Sequence, residues 1–176
     1  MRYNTPKDNL CLGVFLYMKV IYPGSFDPIT NGHTDVLVSA LYMFEEVTIV
    51  VMSNEDKKHK FTIEERKELI EQSIKNSCLH IFGKINVVCY DGWISDYLKA
   101  IDDNNIVIVR GLRNTTDFDY EMKYEAFTRD FGAKSVFISP NPHNILTSSS
   151  LVRNLIDAGG DYLHYVPWTE KIEYIE

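Results

Sequence analysis

Cysteine is scarce in this chain: Cys11, Cys78 and Cys89 make an odd count with no C-x-x-C pair among 176 residues. Neither a disulfide framework nor a zinc knuckle is indicated, and a reducing cytosol fits. Positive charge is short as well. Eighteen Lys and Arg against 25 Asp and Glu leave a net charge of −7. That argues against a nucleic-acid binder working through a broad basic surface, so any basic site for an anion must be local. The five histidines, His33, His59, His80, His143 and His164, show neither H-x-x-x-H nor H-E-x-x-H spacing, and no protein-built transition-metal site is visible. No apolar run approaches the ~20 residues of a membrane span. A Walker loop is missing too, since Gly83-Lys84 lacks both the upstream Gly and the following Ser or Thr, and there is no G-x-G-x-x-G. P-loop kinase and dinucleotide-dehydrogenase readings lose their main support.

What is present is 45% apolar content in a length suited to one domain. Short runs rich in Val and Ile, apolar on both faces, fall at 19–22, 47–52, 85–90, 106–109 and 135–139 and read as buried parallel strands. Helical patterns lie between them at 31–44, 62–76, 93–102 and 117–131, with Thr62 and Glu65 placed for a capping box. A further helix is expected at 149–158, stopped by Gly159-Gly160, and a last short one at 169–174. The alternation predicts a Rossmann-like α/β fold: a doubly wound five-stranded parallel sheet with helices on both faces. The domain is expected to span 18–176. Residues 1–17 read as a disordered or loosely attached extension; their apolar run is too short, is preceded by Asp8 and lacks a small-residue cleavage site, so secretion is not expected.

Ligands of such sheets bind beyond the carboxyl ends of the strands. The chemistry-bearing residues fall there: Ser25 after the first strand, Lys57 after the second, Asp91 after the third, Arg110 closing the fourth, and 140–150 after the fifth. The first of these junctions is the most specific. Tyr22-Pro23-Gly24-Ser25-Phe26-Asp27-Pro28-Ile29-Thr30-Asn31-Gly32-His33 turns a strand into a helix and sets His33 in that helix's first turn. Unpaired N–H groups and the positive end of the helix dipole attract an anion there, with Gly24 and Gly32 allowing close backbone approach.

The string Gly-x-Phe-Asp followed by Thr30-Asn31-Gly32-His33 resembles the nucleotidyltransferase superfamily, and with Tyr22-Pro23 ahead of it the bacterial phosphopantetheine adenylyltransferases. Three further blocks carry the resemblance over roughly 18–167: Lys57-Lys58 with Phe61-Thr62-Ile63-Glu64-Glu65-Arg66; Arg110-Gly111-Leu112-Arg113 with Asp117-Phe118-Asp119-Tyr120-Glu121; and Thr147-Ser148-Ser149-Ser150-Leu151-Val152-Arg153. The resemblance implies transfer of the adenylyl group of ATP to 4′-phosphopantetheine, giving dephospho-coenzyme A and pyrophosphate. It implies His33, Lys57 and Arg110 as catalytic residues, and Ser25, Lys57, Ile94 and Arg110 on the phosphopantetheine side. For ATP it implies Ser25, Phe26, His33, Gly111, Leu112, Arg113, Glu121, Asn144, Ile145, Leu146, Thr147, Ser148, Ser149 and Ser150. Asn144-Ile145-Leu146 departs from the aromatic-Ser-Phe run common in the family.

Also implied are Mg²⁺ carried with ATP, no protein metal site, a cytoplasmic homohexamer, and no nucleic-acid or membrane partner. The chemistry is self-consistent. A phosphomonoester is mostly ionised at neutral pH, so the nucleophile needs no protein base, and catalysis rests on positioning and electrostatics. Two alternatives stay open: another adenylyl- or cytidylyltransferase acting on nicotinate mononucleotide or glycerol phosphate, and a noncatalytic nucleotide-binding module. Thr30 and the Arg110 block weigh against the first, and the retention of His33, Lys57 and both arginines against the second.

Overall fold

The computed structural model describes residues 18–53, 58–101, 103 and 105–168. The extension at 1–17, Lys57 and the helix expected at 169–174 lie outside the described residues. Five strands form a single parallel sheet: β1 (Lys19–Gly24), β2 (Glu46–Ser53), β3 (Lys84–Asp91), β4 (Ile106–Gly111) and β5 (Lys134–Ile138). Their order is β3-β2-β1-β4-β5. The connections are α1 (Asn31–Met43), α2 (Ile63–Asn76), α3 (Ile94–Ile101) and α4 (Thr115–Arg129), with α5 (Ser149–Asp157) after the last strand. Winding runs outward from β1 through β2 to β3, then returns past β1 to β4. Right-handed crossovers therefore put α1 and α2 on one face and α3 and α4 on the other, and the direction reverses between β1 and β4.

Alternation along the strands sorts the core into two layers. Val20, Tyr22, Val47, Ile49, Val51, Val107 and Val109 face Val36, Leu37, Ala40 and Leu41 of α1, Leu69 and Ile70 of α2 and Val152 of α5. Ile21, Val50, Ile106 and Ile108 face Ile94 and Leu98 of α3 and Ala133 before β5.

Some sequence expectations shift. β3 and β4 run on to Asp91 and Gly111, because the ladder pairs Ser53 with Asp91 and Gly111 with Ile138. β3 is not buried on both faces: it lies at the sheet edge and its residues are partly or fully exposed. α4 begins at Thr115 rather than 117, since the Asn114 side chain caps it by accepting from the Asp117 N–H at 2.8 Å. The Thr62 capping box forms as expected: Thr62 N–H donates to Glu65 at 2.7 Å and Glu65 N–H to Thr62 Oγ1 at 3.2 Å. α5 stops at Asp157, and Gly159 takes φ +67°, the left-handed conformation that ends helices.

Candidate active site

The loop from Gly24 to Thr30 leaves β1 beside the reversal point and delivers α1. Thr30 precedes α1 in extended conformation. Its backbone N–H donates to His33 Nδ1 at 3.0 Å, and Thr30 Oγ1 lies 3.0 Å from the same nitrogen. Accepting a backbone N–H makes Nδ1 the unprotonated nitrogen, which assigns the ring proton to Nε2. Burial, and secondarily the nearby Arg113 charge, lower the His33 pKa from 6.5 to about 4. At neutral pH the ring is therefore uncharged and carries a single donor at the first turn of a helix.

Packing holds that ring in place. Phe26 is 2% exposed, and its ring meets Tyr22 edge-on at 5.2 Å and His33 at 5.1 Å. Gly24 serves this stack, because a Cβ there would sit 3.0 Å from the Phe26 ring. Gly32 carries no equivalent requirement: a Cβ there would meet the Asn144 and Thr147 carbonyl oxygens at an ordinary 3.5 Å. Tyr22 is buried, and burial and then Glu121 push its phenol pKa up, so it stays un-ionised.

The β4 block divides. Arg113 keeps its guanidinium over Asp117, with Nε to Oδ2 at 2.8 Å, and is near enough to act on both His33 and Tyr22. Arg110 turns toward α4. Its Nη1 donates to Glu121 at 2.7 Å, Nη2 to Thr128 Oγ1 at 2.9 Å and Nε to Ser135 Oγ at 3.0 Å, with 7% of the side chain exposed. All three nitrogens are engaged, so an anion at Arg110 would share the fork with Glu121. Leu112 N–H is taken up by the Ile138 carbonyl at 2.8 Å. Ile94 packs with Ile21, Val50 and Leu98 in the smaller core.

The loop after β5 closes over the start of α1. Asp35 accepts from Asn141 N–H at 3.0 Å and from Asn144 Nδ2 at 2.8 Å, so the Asn144 amide is committed to α1. Ile145 and Leu146 are exposed, and Thr147 is buried. Ser148 caps α5 by accepting from Leu151 N–H at 3.1 Å, Ser149 Oγ donates to the Pro28 carbonyl at 2.8 Å, and Ser150 Oγ accepts from Arg153. The serines thus bring the α5 N-terminus against the first loop.

Residues to which the sequence reading gave no task tie these loops together. Asp27, 2% exposed, accepts from the N–H groups of Lys60 at 3.0 Å and Phe61 at 3.0 Å, joining the first loop to the segment after β2. Arg153 donates to the Asp27 carbonyl, and Lys60 bonds to Asp157. Arg66, 1% exposed, donates to the carbonyls of Ser25 and Met52. A signal for Arg66 existed: it shares helical spacing with the buried Leu69, Ile70 and Ser73, a position where a charge must serve a partner. A cavity of about 1110 Å³ lies at the opposite, amino ends of the strands among Met18, Glu46, Lys84 and Tyr97, away from all of these groups.

Comparison with known proteins places the chain in a family. The cytidylyltransferase-like family model matches residues 21–155. A phosphopantetheine adenylyltransferase of Frankia alni is 40% identical over 152 residues, covering 85% of this chain and 91% of that protein. One from Nautilia profundicola is 35% identical over 154 residues, covering 86% and 96%. In fold, the chain matches a bifunctional NMN adenylyltransferase/ADP ribose pyrophosphatase from Francisella tularensis with a TM-score of 0.68 at 17% identity, over 88% of this chain and 46% of that one. With a family model spanning most of the sheet and relatives matched over nearly their whole length, the chain belongs to the cytidylyltransferase-like family and, within it, to the phosphopantetheine adenylyltransferases.

Proposed function

We propose that this chain transfers the adenylyl group of ATP to 4′-phosphopantetheine, releasing pyrophosphate and forming dephospho-coenzyme A. The observation that carries the reading is the His33 ring, kept neutral by burial and held by Thr30 with its one proton on Nε2 at the start of α1. An oxygen of the acceptor phosphate attacks the α-phosphorus of ATP, a new P–O bond forms, and the bond to the β-phosphate bridging oxygen breaks in line. Charge moves onto the α-phosphate oxygens during that exchange. A fixed N–H donor meeting them stabilises the transition state with little reorganisation. Arg113, acting on the same ring, adds positive potential, and the α1 dipole acts in the same sense.

The acceptor phosphate is assigned to Ser25, Lys57 and Arg110, and the nucleotide to Phe26, 111–113, Glu121 and 144–150. Among the described residues no cluster of three or more His, Cys, Asp or Glu could hold a metal. Magnesium, carried with ATP on triphosphate oxygens, would neutralise the departing pyrophosphate. We also read the protein as a homo-oligomer. α4 exposes Phe118 and Met122 on one side and Tyr120 and Phe127 on the other while burying Glu125 and Thr128, more exposed apolar side chain than open helix surface usually carries. The odd cysteine count favours a cytoplasmic setting; among the described residues no helix is long and apolar enough to cross a membrane.

The test is pyrophosphate release with ATP and a panel of acceptors: 4′-phosphopantetheine, nicotinate mononucleotide and glycerol phosphate. Release with the first alone supports the reading. Release with another acceptor alone, or tight ATP binding without release, overturns it.

A further inference from the structure

Arg66 is a buried charge for which the reaction has no direct use. It sits in the second turn of α2 and donates to carbonyl oxygens from three separate pieces of chain: Nη1 to Ser25 at 2.7 Å and to Met52 at 2.8 Å, and Nε to Thr62 at 3.3 Å. Burial lowers its pKa and the Asp27 charge opposes that, yet an arginine stays protonated at any working pH. Among the described residues it forms no direct ion pair with a carboxylate. A buried cation satisfied by carbonyls is costly to fold around, so what it holds in place is informative.

One of the groups it holds is the peptide that joins Ser25 to Phe26. The Ser25 carbonyl and the Phe26 N–H share a planar unit, and the bond is trans, since among the described residues only Asp27–Pro28 is cis. In a trans peptide the C=O and N–H point in opposite directions. With the carbonyl turned onto Arg66, the Phe26 N–H is turned away from α2, and among the described residues no hydrogen bond takes it up. Phe26 also has φ 45°, the left-handed region in which a bulky side chain is strained and in which successive N–H groups form anion-binding concavities. Its ring, wedged between Tyr22 and His33, keeps that conformation from relaxing.

We propose that Arg66 is a positioning residue: by anchoring the Ser25 carbonyl to the end of β2, it aims the Phe26 backbone N–H at a phosphate of the nucleotide held beside His33. The proposal rests on the reading of the first loop as the nucleotide site and goes beyond it by naming the group that orients the loop.

The experiment uses the full chain with ¹⁵N-labelled phenylalanine and α,β-methylene-ATP as the probe, alongside pyrophosphate release with ATP and 4′-phosphopantetheine. In wild type the Phe26 amide resonance shifts when the probe is added. In Arg66→Met the shift is lost, and turnover per folded molecule falls about 10–100-fold with KM for the acceptor changed by less than about 3-fold. Arg66→Lys, with one nitrogen in place of a fork, falls between the two, and it carries the comparison alone should Arg66→Met not fold. A role confined to stability would lower the melting temperature and leave turnover per folded molecule and the amide shift intact; that result in either variant overturns the proposal. A wild-type Phe26 amide that ignores a bound probe overturns instead the placement of nucleotide at this loop, and the proposal with it.

Discussion

The two faces of the sheet use apolar side chains differently. Under α1 and α2, Val36, Leu37, Ala40, Leu41, Leu69 and Ile70 are turned inward and closed over by the strands, and the same packing braces the Phe26–His33 stack. Under α3 and α4 the core is smaller. α4 buries Glu125 and Thr128 and leaves Phe118, Tyr120, Met122 and Phe127 outward. One face therefore turns its apolar area inward beneath the Phe26–His33 stack, and the other leaves part of it exposed. Arg110 and Glu121 pair on the second face, at the end of β4.

That contrast can be attacked first where the effect is greatest. His33→Ala removes the fixed donor and is expected to lower turnover about 10²–10³-fold while far-ultraviolet circular dichroism stays unaltered. Near-normal pyrophosphate release would remove the α1 face from the chemistry. Leu37→Ala, at a fully buried position, should cost about 3 kcal/mol in urea unfolding. A cost below about 1 kcal/mol would mean the larger core is looser than its burial indicates.

A third measurement concerns pH. His33 is neutral in the folded protein down to about pH 4, whereas the unfolded chain binds its proton near 6.5. Lowering the pH therefore favours unfolding: this contribution is fully present above 6.5 and is lost as pH falls toward 4, by about 1–3 kcal/mol. Wild-type melting temperature should fall more steeply across that window than that of His33→Gln, and parallel curves would contradict the buried, neutral assignment. The smallest effect on folding belongs to the other face. Phe127→Ala, 44% exposed, should change monomer stability by less than about 1 kcal/mol, yet shift sedimentation toward smaller species. A cost matching Leu37→Ala with unchanged sedimentation would erase the difference between the faces.

The five strands, the five helices from 31 to 157 and the turn that joins β1 to α1 were legible in the amino-acid order because each depends on neighbours within a few residues: β-branched runs, the Thr62 and Glu65 reciprocal cap, the Thr30-Asn31-Gly32-His33 turn. Edges were not. Nothing local marks β3 as an edge strand, since its Val87 and Val88 read like those of the buried β2, and only the order of pairing exposes it. The α4 start was two residues early because a cap by Asn114 is a choice among several adjacent polar residues.

In the site the division is the same. Chain order alone set His33 in the first turn of α1, because strand, turn and helix are contiguous and their geometry is local. Which charges turn toward that turn was settled by folding: Arg66 onto Ser25, forty-one residues away, Arg110 onto Glu121 and Thr128, and Asp27 onto the Lys60 and Phe61 amides. A buried charge takes whatever partner the assembled sheet brings within about 3 Å, and that distance is a property of the packed molecule rather than of the spacing between residues along the chain.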